Sequence, residues 1–268
     1  MEIASVSGNK YYVEFIDDLT RYSWIYFMKT KDQVFGMFKK WRVDAEAKSG
    51  TKIRCLRSDR GGEYTSKIMQ EYCEKEGIFQ QFSVAYTPQQ NGVSERKNRT
   101  LVEMGKSLMF AMNVPRRFWP EACNTACYIQ NRLQTKSLKN KTPFEMLFGV
   151  KPKVSHLRVF GCVAYTHIPD KIRKKLSEKA VKGVMMGYSS NASAYRIFNP
   201  VKNEMIIAAS ARFDENTEWS WSEQTVREPG RVFIDVPMQD EVLGETSPRQ
   251  NISNSLLNDA GTQASPEP

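Results

Sequence analysis

Histidine is nearly absent from this chain. His156 and His167 are its only imidazoles, too few to build a His/Cys zinc module within these residues. The five cysteines, Cys55, Cys73, Cys123, Cys127 and Cys162, are odd in number and widely spread, and none forms a C-x-x-C pair. They are expected to be buried free thiols rather than disulfide partners or metal ligands. No apolar run approaches the roughly 18 to 20 residues that a bilayer span requires, and Met1-Glu2-Ile3 does not begin a basic-then-apolar signal sequence. A soluble, intracellular protein with no membrane partner is the expectation.

Lysine is missing after Trp221, although the whole chain carries a net charge of +9. Residues 223–268 hold eight acidic side chains against three arginines, so the preceding 222 residues carry +14. A body this basic suggests a polyanionic partner, nucleic acid before membrane, although a solvated basic surface gives the same count. The acidic tail thickens in Ser, Asn, Gln and Pro and is expected to be largely disordered. With 40% apolar content over 268 residues, the rest can bury a real core.

Strand and helix signals alternate through the first third. Lys10 to Asp17 and Ser23 to Lys29 are rich in aromatic and β-branched residues, and the turn Asp18-Leu19-Thr20-Arg21 makes them a hairpin. Thr30 followed by Gln33 has the form of a capping box, after which Val34, Phe38, Trp41 and Ala45 recur at helical spacing up to Ser49-Gly50. A strand over 53–58, a helix from Ser66 to Glu76 stopped by Gly77, and a strand over 78–84 follow. T-P-Q-Q-N-G-V, residues 87–93, reads as a loop. Ser94 can then cap a helix of about 18 residues whose face of Leu101, Met104, Leu108, Ala111 and Met112 is apolar. On its opposite side Glu95, Arg99 and Lys106 fall within about 40° of one another. A helix over 117–133 and a second capping box, Thr142-Pro143-Phe144-Glu145, precede a boundary at Pro152. Short strands over 157–168, 180–188, 194–198 and 205–213 then suggest a small β-barrel. The expected division is 1–152, an α/β core; 153–216, a barrel; and 217–268, an acidic linker or tail.

Two carboxylates stand out. Asp59 ends a strand and is followed by Arg-Gly-Gly; Glu95 opens a helix 36 positions later. Phosphodiester chemistry needs oxygen ligands for hard cations, and a carboxylate on a strand with another on a helix can converge on such an ion. Each also has an ordinary explanation: Asp before Arg-Gly-Gly punctuates a turn, and Glu in a first turn complements the helix dipole.

The wider pattern decides between these. L-R-S-D-R-G-G-E-Y and Y-T-P-Q-Q-N-G-V-S-E-R-K-N-R-T-L, with F-I-D-D-L-T-R-Y-S-W upstream and P-K-V-S-H-L-R-V-F-G-C-V-A-Y, K-G-V-M-M-G-Y-S and F-D-E-N-T-E-W-S-W downstream, resemble the integrase region of copia-type long-terminal-repeat retrotransposons. The resemblance covers about residues 3 to 221. It implies a ribonuclease-H-like mixed sheet flanked by helices, then an SH3-like barrel, and DNA strand transfer assisted by Mg²⁺ or Mn²⁺. It makes Asp59 and Glu95 catalytic metal ligands and Arg99 a DNA contact, and it puts Gln90 and Asn91 in a flexible catalytic loop. Gln90, Asn91, Lys97, Arg99 and Lys106 are the expected DNA-binding set, element ends and target DNA the expected partners, a homo-oligomer the expected assembly, and the nucleus the place of action.

In the resembling family a first catalytic aspartate, and a zinc module before it, lie upstream of the strand that begins near Lys10, and the residues given begin at Met1. Asp17 and Asp18 belong to the second strand and its turn and are not expected to replace that aspartate. Three readings follow: an integrase core short of one metal ligand and one strand; a non-enzymatic nucleic-acid-binding remnant; and a protein-interaction module whose basic run, Lys171, Arg173, Lys174, Lys175 and Lys179, is a solvated face.

Overall fold

A computed structural model of the chain describes residues 1–83, 92–167, 180–189 and 194–221. Strands β1 (Tyr11–Ile16) and β2 (Ser23–Met28) form the expected antiparallel hairpin, with Glu14 opposite Ile25 and Tyr12 opposite Phe27. All six residues of β2 are buried, which an isolated hairpin cannot achieve, because alternate side chains point to opposite faces. Helices cover both faces. On one, Val13, Phe15, Trp24, Tyr26 and Met28 pack against Val34, Phe38, Trp41 and Ala45 of α1 (Val34–Ser49). On the other, Ile25 and Phe27 meet Leu101 of α4 (Gly92–Ala111) and Trp119, Cys123, Ala126 and Cys127 of α5 (Trp119–Gln130). The core is thus three layered, helix on sheet on helix.

Local signals set several boundaries. Gln33 reaches back to accept from the Lys29 backbone N–H at 2.8 Å before α1, and Gly50, at φ +66°, ends that helix in the left-handed conformation. Thr142 Oγ1 accepts from Glu145 N at 2.9 Å to cap α6 (Pro143–Phe148). Strand β3 (Cys55–Ser58) lies parallel to β4 (Phe79–Phe82), joined by α2 (Gly62–Thr65) and α3 (Lys67–Lys75). The Arg42 guanidinium ties α1 to the end of α3 through Glu76 at 2.8 Å.

The fold is the expected mixed α/β arrangement, but not as one continuous ladder. The hairpin and the β3–β4 pair are two separate two-stranded sheets that share a core without backbone pairing to each other. Among the described residues, β1 pairs only with β2 and β3 only with β4, so each keeps one unpaired edge.

Beyond α6, strands β5 (Cys162–His167), β6 (Ala180–Tyr188), β7 (Tyr195–Asn199), β8 (Glu204–Ala208) and β9 (Ala211–Glu218) form an antiparallel sheet ordered β8-β7-β6-β5-β9. The consecutive strands β8 and β9 occupy opposite edges, yet two residues link them. Ala208 and Ala211 can lie no more than about 11 Å apart, so the sheet must roll up. Ala208 packs with Ala164, Ile197, Ala211 and Phe213, inside the resulting barrel. The expected single strand over 205–213 is therefore two, broken at Ala209-Ser210, where the chain crosses from one edge to the other.

The barrel does not stand apart from the core. Met112, Val114, Phe118 and Ala122 share a cluster with Phe160, Cys162, Val184, Met185, Met186, Tyr188 and Phe198, so hydrophobic packing crosses the expected boundary at 152. Gly161 marks the contact. At φ +87° it donates to the Met185 carbonyl at 2.8 Å, and a Cβ there would lie 2.6 Å from Val114 Cγ2, which is why this turn takes glycine. Gln90, Asn91, the Lys171–Lys179 run and the acidic tail after Trp221 lie outside the described residues.

Candidate metal and nucleic-acid site

Asp59 follows immediately on β3, so the strand delivers its carboxylate to the strand end, where it is exposed. Asp59 Oδ1 accepts from the Gly61 backbone N–H at 3.0 Å, and Gly61 is the N-cap of the one-turn helix α2. Asp59 thus does shape a turn. Glu63 enters beside it: a Cβ built on Gly61 would lie 2.8 Å from Glu63 Oε2 and 3.1 Å from Asp59 Oδ1. Glycine at 61 lets two carboxylates lean over one backbone position. Their charge reaches Tyr64, whose phenol is pushed up to about 12, by burial first and then by Asp59 and Glu63. Glu63 was not singled out from the sequence, although E-Y closes the same motif; only the turn of α2 brings it round.

Glu95 is exposed in the first turn of α4. Arg99 and Lys106 are exposed on the same helix, and the expected polar face is present. Lys97 departs from that face. It is half-buried, and its charge acts on Glu14 of β1, because position 97 falls on the side of α4 that carries Leu101 and meets the sheet. Asp17 and Asp18 are held in the hairpin turn: Asp17 Oδ2 accepts from Thr20 N at 2.8 Å and Thr20 Oγ1 at 2.6 Å, and Asp18 pairs with Arg21. The cysteines are free thiols, four of them buried as expected, with Cys55 exposed on the outer face of β3.

Asp59, Glu63 and Glu95 offer the hard oxygen donors that Mg²⁺ or Mn²⁺ prefers. Among the described residues, however, no group of three His, Cys, Asp or Glu side chains lies close enough together to hold an ion. The donor chemistry fits a divalent cation but the donor count does not. Nor, among those residues, is any helix long and apolar enough to cross a membrane.

Residues 1–88 match the family described as "Integrase core domain", and residues 162–227 the family described as "Retroviral polymerase SH3-like domain". The Retrovirus-related Pol polyprotein from transposon TNT 1-94 of Nicotiana tabacum is 44% identical over 216 residues, 81% of this chain. Those from transposons RE2 and RE1 of Arabidopsis thaliana are 38% and 39% identical over 80% of it. The chain is similar to the integrase region of these copia-type Pol polyproteins. It spans 16% of the length of the TNT 1-94 polyprotein and 14% of each of the other two. Among solved structures, the simian T-cell lymphotropic virus intasome in complex with PP2A regulatory subunit B56 gamma is similar to 75% of this chain and 68% of its own, at 17% identity and TM-score 0.43. The HTLV-2 integrase catalytic core domain in complex with magnesium (trimeric form) is similar to 50% of this chain and 82% of its own, at 16% identity and TM-score 0.40. The two matched domains account for the two-part architecture, an integrase core followed by an SH3-like domain.

One carboxylate lies outside the expected site and is still unusual. Both oxygens of Glu14 are buried, and neither finds a well-aligned hydrogen-bond partner among the described residues. Burial pushes its carboxyl from 4.5 up to about 7, against the pull of the Lys97 ammonium on α4 and the Ser23 hydroxyl on β2; Cys123 of α5 and Tyr12 of β1 lie within its electrostatic reach. Because the folded state holds this proton more tightly than the unfolded one, stability falls as pH rises from about 4.5 to about 7, by about 3 kcal/mol in all. Glu14→Gln is expected to flatten that slope, matching the parent near pH 4.5 and exceeding it by up to about 3 kcal/mol at pH 8. Urea denaturation at the two pH values checks this.

Proposed function

We propose that this chain is the strand-transfer region of a copia-type retrotransposon integrase, in which Asp59 and Glu95 supply two of the oxygen ligands for Mg²⁺ or Mn²⁺. The observation that carries the reading is the placement of Asp59 at the free end of β3, beside an unpaired strand edge, within the residues that match the integrase core domain. Among the described residues β1 and β3 each keep one unpaired edge to which a further strand could add. That strand is where the family resemblance puts the first aspartate, the third ligand. Bound there, the ion would bring Lewis acidity to a phosphodiester. The protein's own part is to hold the DNA: Arg99 and Lys106 line one exposed face of α4 with Glu95 at its head, and Gln90 and Asn91 stand immediately before that helix in sequence. Copies of the chain would assemble on element ends and target DNA, and integration would take place in the nucleus.

If α4 lies along the phosphate backbone, each cation on its outer face neutralises phosphate and releases counterions. Arg99→Ala and Lys106→Ala are each expected to lower the slope of log affinity against log salt by about 1, uniformly across DNA sequences. Fluorescence anisotropy over a salt series measures it. Unchanged slopes in both variants would favour the protein-interaction reading of this basic chain.

A further inference from the structure

The stretch of α4 before Leu101, residues 92–100, has no apolar anchor. The first buried residue in this helix is Leu101, followed by Gly105, and before them Ser94, Glu95, Arg96, Asn98, Arg99 and Thr100 are exposed. Arg96 Nε returns to the Gly92 carbonyl and Thr100 Oγ1 to the Arg96 carbonyl, so both stabilise the helix itself without fastening it to anything. A helix end held only by its own hydrogen bonds frays readily. Yet this is the segment that presents Glu95 and Arg99.

Two side chains of β1 reach it. Tyr12 donates its hydroxyl to Asn98 Oδ1, while its ring rests against Trp119 of α5, 6.1 Å between centroids. Two residues along the same face of the strand stands the buried Glu14 carboxyl; Lys97, half-buried one turn before Leu101 on the sheet side of α4, acts on it electrostatically without a hydrogen bond. On the neighbouring strand the corresponding positions are Phe27 and Ile25, which pack against Leu101 and α5. The sheet face under these helices is therefore divided: β2 grips the middle of α4 through apolar contact, and β1 presents the polar groups to its first turns.

We propose that Tyr12 and Lys97 are positioning residues. Together with Asn98 and Glu14 they form a polar seam that fixes the first turns of α4 on β1 and so sets where Glu95 and Arg99 stand. This rests on the reading of Glu95 as a metal ligand, and it removes Lys97 from the DNA-binding set expected from the sequence. Lys97 lies on the side of α4 away from Glu95 and Asn98 about 60° round from it, so the seam acts through the helix rather than by touching the substrate.

Hydrogen exchange on the 268-residue chain tests the seam without requiring any activity. The first four amides of α4 lack helical acceptors in any case, so the informative ones are those of residues 96–100. In Tyr12→Phe, which keeps the ring on Trp119, and in Lys97→Met, which keeps the stem, protection at 96–100 is expected to fall about tenfold while residues 102–111 stay as in the parent. Asn98→Ala should reproduce Tyr12→Phe, and the double variant should lose no more than either single one. In strand transfer by the chain joined to the upstream segment of a related polyprotein, both seam variants are expected to lower kcat several-fold and to raise KM for DNA less than Arg99→Ala does. Lys97→Met should also leave the salt slope of DNA binding unchanged. Parent-like exchange at 96–100 in both variants would overturn the proposal, as would loosened exchange with unaltered kcat. If the parent shows no strand transfer even when joined to the upstream segment of a related polyprotein, the proposed function fails, and exchange still judges the tether.

Discussion

Asp59→Asn is expected to reduce metal-dependent strand transfer at least about a hundredfold, the upper end of what losing even an outer partner of a metal site costs, while leaving the fold and DNA affinity as they were. Asparagine retains the one structural duty seen for this side chain, because its carbonyl oxygen can still accept from the Gly61 N–H that Asp59 Oδ1 receives at 3.0 Å. The residue is exposed, so the exchange opens no cavity. What is lost is the negative charge, which a hard cation needs and a turn does not. Glu63 sharpens the comparison. It leans over the same glycine, and Glu63→Gln separates a third oxygen donor from a bystander: a loss as deep as that of Asp59→Asn would bring Glu63 into the site. Circular dichroism and DNA anisotropy alongside the transfer assay keep a folding defect from passing as a chemical one.

Phe118→Ala is expected to cost about 3–5 kcal/mol and to do so for the whole described body at once. Phe118 is 1% exposed. Its ring meets Phe198 of the barrel at 4.8 Å and Trp221 at 5.3 Å, and it stands at the start of α5, which also covers the hairpin. Truncation leaves a cavity at the point where core and barrel share one cluster. Unfolding followed by tryptophan fluorescence and by far-ultraviolet circular dichroism should show one shifted transition in common. Two separate transitions, with only the barrel affected, would mean that the boundary expected at residue 152 is a true thermodynamic one.

That boundary illustrates where the sequence is silent. Lys151-Pro152-Lys153 has the look of a linker, and nothing local announces that Phe118 will reach Phe198, eighty positions on. The elements themselves were far more legible. Helix α1 was readable to within a residue because its cap, its apolar stripe and its left-handed glycine all agree. The four residues of α2 carry no periodicity, and with them went Glu63. The break between β8 and β9 was hidden because M-I-I-A-A-S-A-R-F reads as one strand until the sheet order shows that its halves lie on opposite edges.

At the candidate site the motifs identified Asp59 and Glu95, and the helical wheel placed Arg99 and Lys106 beside Glu95. It could also have placed Lys97, which lies on the core side of the same wheel; a lysine in a basic run invites the reading of a phosphate contact. Only the opposing strand, with Glu14 buried and Tyr12 bonded to Asn98, gives that lysine a different task. Buried polar groups on β1 are legible in hindsight as a break in alternation, since K-Y-Y-V-E-F-I puts a carboxylate where an apolar residue would ordinarily face a helix.

The measurement that tests the central claim most directly is strand transfer of a duplex oligonucleotide mimicking a terminal repeat end into plasmid DNA. The chain, alone and joined to the corresponding upstream segment of the TNT 1-94 polyprotein, is assayed in Mg²⁺, in Mn²⁺ and with chelator, beside Glu95→Gln. The expected result is product that requires the metal, needs the added segment with its further carboxylate, and disappears with Glu95→Gln. Product that survives Glu95→Gln, or its absence from the joined protein under every metal condition, would contradict it.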